Sequence, residues 1–255
     1  CELEKAFATS FTAGLDQAGI AHGEIQSFAT PRRIAVQVKR LAPSQPEQHL
    51  KRKGPPVTAA FDASGAPTRA AQAFAESCGV PIDSLQRVEE GKGTFLYFVG
   101  TKPGRPATEL LPGIATAALA ALPIPKRMRW GSSDAEFIRP VHWLVMLYGK
   151  DVVPCRLLDT DASNETRGHR FMSAKPIRLS SPAGYAKALR DRGFVLADFA
   201  ERRERIREQV TAKASELGGK ALISDALLDE VTSLVEWPVA PAGRSEECFL
   251  SLPRE

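Results

Sequence analysis

Apolar residues recur every fourth position at the start of the chain, at Leu3, Phe7, Phe11 and Leu15. That spacing sets them on one stripe of a helix, expected over residues 2–19 with Gly19 as its stop. The period then changes to two. Between Gln26 and Arg40, Ile34, Val36 and Val38 alternate with Ala35, Gln37 and Lys39, as in a half-buried strand entered through Thr30-Pro31. Residues 43–67 carry many turn formers and few apolar side chains, so a loop or domain boundary is expected there. Thr68 is placed to cap a short helix with Ala70, Ala71, Phe74 and Cys78 on one face and Gly79 beyond it. Thr94 to Val99 reads as a buried strand. Leu110, Leu111, Ile114, Ala118 and Leu122 mark a helix ended by Pro123.

Val141 to Tyr148 is a continuous apolar run, and Gly149-Lys150 joins it to residues 151–158, which predicts a β-hairpin. The last third turns helical. Ser181-Pro182 opens one helix, closed by Gly193 after Tyr185 and Leu189. Asp198 caps the longest helix, whose buried stripe is Phe199, Ile206, Val210 and Leu217, and Gly218-Gly219 end it. Ser224 opens a further helix, with Leu227, Leu228, Val231 and Val235, that must stop before Pro238. Strands and helices mix without a strict βαβα rhythm, so the class expected is α+β, a mixed or mainly antiparallel sheet with packed helices. Three segments follow: an N-terminal α+β part (1–53), an intervening helix and strand part readable as an insertion (54–127), and an α+β part with C-terminal helices (128–255).

Composition narrows the class. With 255 residues, 43% hydrophobic and 25% charged, the chain can bury a sizeable core. No apolar run approaches the ~20 residues that span a bilayer, and no basic-then-apolar leader opens the sequence. A start at Cys1 and an end at Leu252-Pro253-Arg254-Glu255 suit a segment of a longer polypeptide. Cys1, Cys78, Cys155 and Cys248 lie far apart, so isolated thiols in a reducing compartment are expected rather than a zinc framework or a disulfide scaffold. The net charge of +4 permits a polyanionic partner without demanding one.

Several chemistries are missing. Gly219-Lys220 lacks the rest of a phosphate loop, and no G-x-G-x-x-G, H-E-x-x-H or G-x-S-x-G occurs. The four histidines are spread out, so no local metal pair is expected. The positive signals are basic clusters. Arg32-Arg33, Lys51-Arg52-Lys53 and Lys126-Arg127 with Arg129 are candidate contacts to RNA phosphates, with a solvated charged face as the alternative for each. The Lys51 cluster, beside glycine and prolines, is the first choice. Residues 202–207 are also rich in arginine, but Glu201, Glu204 and Glu208 neutralise them into a paired surface. Aromatics interleave with arginines at Met128-Arg129-Trp130-Gly131 and Phe137-Ile138-Arg139-Pro140, a pattern that stacks bases or builds core. His169 in Gly168-His169-Arg170-Phe171 is a candidate for acid–base work, for RNA contact or for a structural role. With Arg170 and Arg139 it makes the only catalytic set on offer.

Ordered motifs across the chain carry a resemblance. They are Thr30-Pro31-Arg32-Arg33-Ile34-Ala35, Lys53-Gly54-Pro55, Leu122 to Lys126, Met128-Arg129-Trp130-Gly131, Phe137 to Trp143, Thr166 to Phe171, and Glu230 through Glu236-Trp237-Pro238 to Pro253. Together they resemble the N-terminal region of the β subunit of bacterial glycyl-tRNA synthetase. Met172 departs from the histidine expected after Phe171, and Ser245 from the aromatic expected after Arg244. The resemblance implies a cytoplasmic α₂β₂ glycine–tRNA ligase, with partners in the α subunit, tRNA(Gly) and the rest of the β chain, and no membrane. It also implies that ATP and Mg²⁺ act on the α subunit, leaving this region without a cofactor or metal and not catalytic by itself. Residues 128–255 would be similar to the editing-type domain of the phenylalanyl-tRNA synthetase β subunit. The function expected is tRNA binding and positioning together with subunit assembly. The alternatives are an editing-type hydrolase acting on mischarged tRNA, and a purely structural assembly domain.

Overall fold

The structure is a computed structural model that describes residues 2–243 except 63 and 92. Two compact units form: Cys1–Ala42 with Thr108–Glu255, and Pro43–Ala107. These divisions differ from the segment ends expected at 53/54 and 127/128. Residues 53 and 54 lie inside a strand, and the smaller unit is entered and left through adjacent segments. Gln45 N donates to Arg105 O at 3.0 Å and Ala107 N to Pro43 O at 2.8 Å, with Gly104 pressed on the Gln45 carbonyl.

In the larger unit, helix α1 (Glu2–Gln17) buries Phe11 and Leu15, two of the four apolar residues at four-residue spacing. The expected strand of residues 26–40 is a hairpin. Strands β1 (Ile25–Thr30) and β2 (Arg33–Val38) pair antiparallel, and the Thr30↔Arg33 register leaves Pro31-Arg32 as the turn.

The smaller unit corrects the expected loop of residues 43–67. Strand β3 (Gln48–Pro56) runs through it, followed by the short helix α2 (Val57–Ala60). Helix α3 (Arg69–Cys78) ends at Gly79, whose φ of 69° is the left-handed conformation glycine favours. Thr68 does not cap it; its hydroxyl donates to the Ala59 and Ala60 carbonyls. Strands β4 (Gln86–Glu90) and β5 (Gly93–Lys102) complete an antiparallel sheet in the order β3-β5-β4. Leu96 and Phe98 of β5 face Ala60, Ala71, Ala75 and Leu85, so the helices cover one side of the sheet. Gly54 permits close packing there, since a Cβ would lie 2.5 Å from the Phe74 ring.

Helix α4 (Ala107–Ala120) follows, and Gly14 of α1 meets it where a Cβ would sit 2.7 Å from Ile114. The apolar run 141–148 is not one strand. Leu144–Val145 pairs in parallel with Ala162 and Ser163, while Leu147–Tyr148 forms the expected hairpin with Asp151–Val152 around Gly149-Lys150. Helix α5 (Tyr185–Gly193) ends on Phe194 at φ 52°, and Ser181 makes no side-chain cap. Helices α6 (Phe199–Glu216) and α7 (Asp225–Leu234) start as expected: Asp198 Oδ1 accepts from Glu201 N at 2.9 Å, and Ser224 Oγ from Leu227 N at 3.3 Å. Phe28, Ile177, Leu179, Leu189, Val195 and Ala197 form the core joining β1 to α5. The α+β class, with small and mainly antiparallel sheets, is what the chain adopts.

The stripe of α6 holds a surprise. Leu217 is 54% exposed, whereas Arg202 is buried to 1%. The arginine-rich stretch is therefore not all surface. The Arg202 guanidinium donates to Leu196 O (2.5 Å), Ala29 O (2.8 Å) and Thr232 O (3.1 Å), tying β1 to both helices. Burial pulls its pKa below the usual arginine range. A charge taken out of water needs this many partners.

Candidate interaction surfaces

The β1–β2 turn presents two arginines with opposite fates. Arg33 is buried: Nη2 and Nε donate to Glu236 Oε1 at 3.0 and 3.2 Å, and Nη1 to Arg167 O at 2.7 Å. Thr30 Oγ1 donates to the same carboxylate oxygen at 2.6 Å. Glu236 is itself buried, so the pair locks the hairpin to the segment after α7. Burial takes Arg33 out of reach of a phosphate, despite the expectation; it positions its neighbours. Arg32 stays half-exposed, 3.8 Å from Glu236 and donating to Gly168 O at 3.2 Å. Both guanidinium carbons lie 5.6 Å from the Trp143 ring centre, a cation–π arrangement. The shared carboxylate lies two hundred residues from the turn, so no local sequence pattern marks it. Burial pushes the neighbouring Tyr185 phenol above its ordinary range.

Residues 167–173 form a loop braced against the end of α5. His169 N donates to Gly193 O at 2.7 Å, and Ser173 Oγ to Arg192 O at 3.1 Å. Gly168 is required by contact, since a Cβ would fall 2.6 Å from Ser173 and 2.8 Å from Gly193 Cα. His169 Nδ1 accepts from Phe171 N and Met172 N, both at 3.3 Å, which puts the ring proton on Nε2. The imidazole thus works as a cap for its own loop. Arg170 and Arg139 are exposed, and no hydrogen bond or ion pair joins them to His169 among the described residues.

In the smaller unit, the strand register divides the Lys51-Arg52-Lys53 cluster. Lys51 pairs with Val99 and Lys53 with Tyr97, so both lie on the open face of the sheet, while Arg52 lies on the helix face and donates to Ser77 O at 3.0 Å. Lys53 Nζ sits 3.9 Å from the Phe95 ring centre and Lys51 Nζ 4.9 Å from that of Tyr97. Glu90 receives Lys53 at 2.7 Å and the Tyr97 hydroxyl at 2.5 Å. The lysine holds the Glu90 carboxyl below its ordinary range, and the carboxylate raises the Lys53 and Tyr97 pKa values. His49 and Thr101 continue the exposed face. The alternation of Lys51 and Lys53 was a signal for this strand that the prolines and glycine beside it obscured.

The remaining basic candidates are dispersed. Lys126 is exposed; Arg127 donates to Ala120 O at 3.2 Å; Arg129 lies 3.5 Å from Asp134 and 3.8 Å from Glu136. A cleft of about 360 Å³ is bordered by Arg190, Glu201, Arg205, Glu208 and Trp237. A second of about 170 Å³ lies between Thr116, Arg127, Phe137 and Leu157. Neither includes His169, Arg170 or Arg139. Among the described residues, no group of three or more His, Cys, Asp or Glu side chains is placed to hold a metal ion. No helix there is long and apolar enough to cross a membrane.

As a class, this is an α+β module whose distinctive chemistry lies on open, cationic surfaces backed by aromatic rings. The chain belongs to the glycyl-tRNA synthetase beta subunit family, whose model matches residues 2–255. It is 50% identical over 254 residues to the glycine–tRNA ligase beta subunit of Marinobacter nauticus, covering 99% of this chain and 37% of the relative. The corresponding protein of Hahella chejuensis is 48% identical over 254 residues, covering 100% and 37%. That of Pseudomonas aeruginosa strain PAO1 is 50% identical over 253 residues, covering 99% and 36%. The chain thus spans little more than a third of the length of these relatives.

Proposed function

We propose that this region of a glycine–tRNA ligase beta subunit binds and positions tRNA(Gly) and contributes to assembly with the alpha subunit, in a cytoplasmic α₂β₂ enzyme. Adenylate formation from glycine and ATP, with Mg²⁺, would belong to the alpha subunit. The observation that carries the reading is the open sheet face of the smaller unit, where Lys51 and Lys53 stand over Tyr97 and Phe95. Backbone phosphates supply most of the affinity in such complexes, and ammonium groups held in place by ring faces meet them with little further ordering. The helices occupy the other face, so the lysines project from a rigid support. Kinship of residues 128–255 with the editing-type domain of the phenylalanyl-tRNA synthetase β subunit is part of the same proposal, as ancestry rather than activity. Hydrolysis by His169, Arg170 and Arg139 is not proposed, because the His169 Nδ1 lone pair is already engaged by its own loop.

The test is equilibrium binding of tRNA(Gly) to the full-length beta subunit assembled with its alpha subunit. Changing Lys51 and Lys53 together to Ala is expected to weaken binding while leaving the circular dichroism spectrum unchanged. Unaltered affinity would remove the sheet face from the interface.

A further inference from the structure

Among the exposed apolar side chains that the proposed phosphate contacts do not explain, one stands on a braced loop. Phe171, in the larger unit, is 86% exposed, and Met172 beside it is 47% exposed. A large ring in water at a loop tip is ordinary when the loop is slack, but this loop is braced at several points. Gly168 packs on Gly193, Ser173 N donates to His169 O at 3.0 Å, and the His169 ring accepts the amides of Phe171 and Met172 themselves. The fold therefore holds the ring outward. The Arg170 guanidinium carbon lies 5.9 Å from its centre and the His169 ring 6.1 Å.

The surroundings point to the kind of partner. From Thr166 to Arg190 the chain carries six cationic side chains, of which Arg178, Lys187 and Arg190 are paired with Glu165, Asp191 and Glu201. Arg167, Arg170 and Lys175 are exposed and have no carboxylate partner among the described residues. An apolar protein surface closing over Phe171 would have to desolvate these charges without compensation. An unstacked nucleotide satisfies both parts, since its base has an apolar face and its phosphate an anion.

We infer that Phe171 is a stacking platform for an unpaired base of the bound RNA, flanked by Arg167 and Arg170 on the adjoining phosphates. The inference rests on the tRNA-binding reading but concerns a different unit and a different interaction. Phosphate pairing weakens with salt, whereas stacking does not. His169 is then a positioning residue, presenting the ring without touching RNA.

The experiment compares Phe171→Ala and Phe171→Trp in the full-length beta subunit with its alpha subunit, using tRNA(Gly) over a range of salt concentrations. At this exposure neither change disturbs the core. Alanine is expected to lower affinity roughly 5- to 150-fold, the range for loss of one stacked base, with the salt slope unchanged. Tryptophan is expected to retain binding, and its added emission to be quenched on RNA addition. Normal affinity with Phe171→Ala would overturn the inference. So would a loss of subunit association at unchanged RNA affinity, which would identify Phe171 as a protein contact. If the Lys51 and Lys53 changes weaken binding while Phe171→Ala does not, the stacking inference alone fails; if neither weakens it, the tRNA-binding reading fails as well.

Discussion

Replacing Arg202 by Met leaves the volume of the side chain nearly intact but removes every donor. The guanidinium satisfies the carbonyls of Leu196, Ala29 and Thr232, with longer contacts to Ala197 and Asp198. A hydrogen bond to a charged group is worth about 1.5–3 kcal/mol, and a buried acceptor left alone costs about 1–3 kcal/mol. Met also relieves the desolvation of a buried charge, which offsets part of that loss. Three carbonyls left without a donor, at about 1–3 kcal/mol each and less the relieved desolvation, give a net cost of about 3–5 kcal/mol. For a unit of this size that lowers the unfolding midpoint by roughly 6–20 °C. Thermal unfolding followed by circular dichroism would measure it, with Arg202→Lys as a companion. Lysine keeps the charge but is a single point donor, and it cannot reach three carbonyls on separate elements, so it should rescue little. If Arg202→Met unfolds within a degree or two of the parent, the carbonyls have other partners and the hub assignment is wrong.

Two further outcomes follow from the geometry. Gly168→Val would push branched carbon into Ser173 and the Gly193 backbone, so a cost of about 1–3 kcal/mol is expected, with faster amide exchange at Phe171 and Met172; unchanged exchange would show that the loop is not braced there. His22 should titrate above the ordinary histidine value, chiefly because its ring donates to the Gly23 carbonyl and also because Asp16 lies 3.1 Å away. A raised folded-state pKa stabilises the fold fully below the unfolded value of about 6.5 and loses that contribution as pH rises through the folded value. An NMR titration placing His22 at or below the ordinary value would contradict this.

Local signals in the sequence were the most legible. Asp198 and Ser224 announce α6 and α7 because a cap acts on amides only three residues away. The hairpin at Gly149-Lys150 is likewise written in adjacent residues. Strand β3 was hidden, since its one covered face needs few apolar residues and its formation depends on pairing with β5. Arg202 could not be distinguished from its exposed neighbours, because its partners come from β1 and α7. The same holds for the candidate surfaces. Composition marked Lys51, Arg52 and Lys53 as one cluster, but only the register shows that Arg52 points the other way. Phe171 was visible in its motif, whereas its outward presentation follows from the bracing of the loop.

The central claim is that the open face of the smaller unit meets RNA phosphates. The most direct measurement is the salt dependence of tRNA(Gly) binding by the full-length beta subunit with its alpha subunit, comparing the parent with Lys51→Glu/Lys53→Glu. If both lysines pair with phosphates, the slope of log affinity against log salt should fall by about 1–2, and the two curves should converge as salt rises. Coincident curves, or curves that stay parallel at every salt concentration, would contradict it.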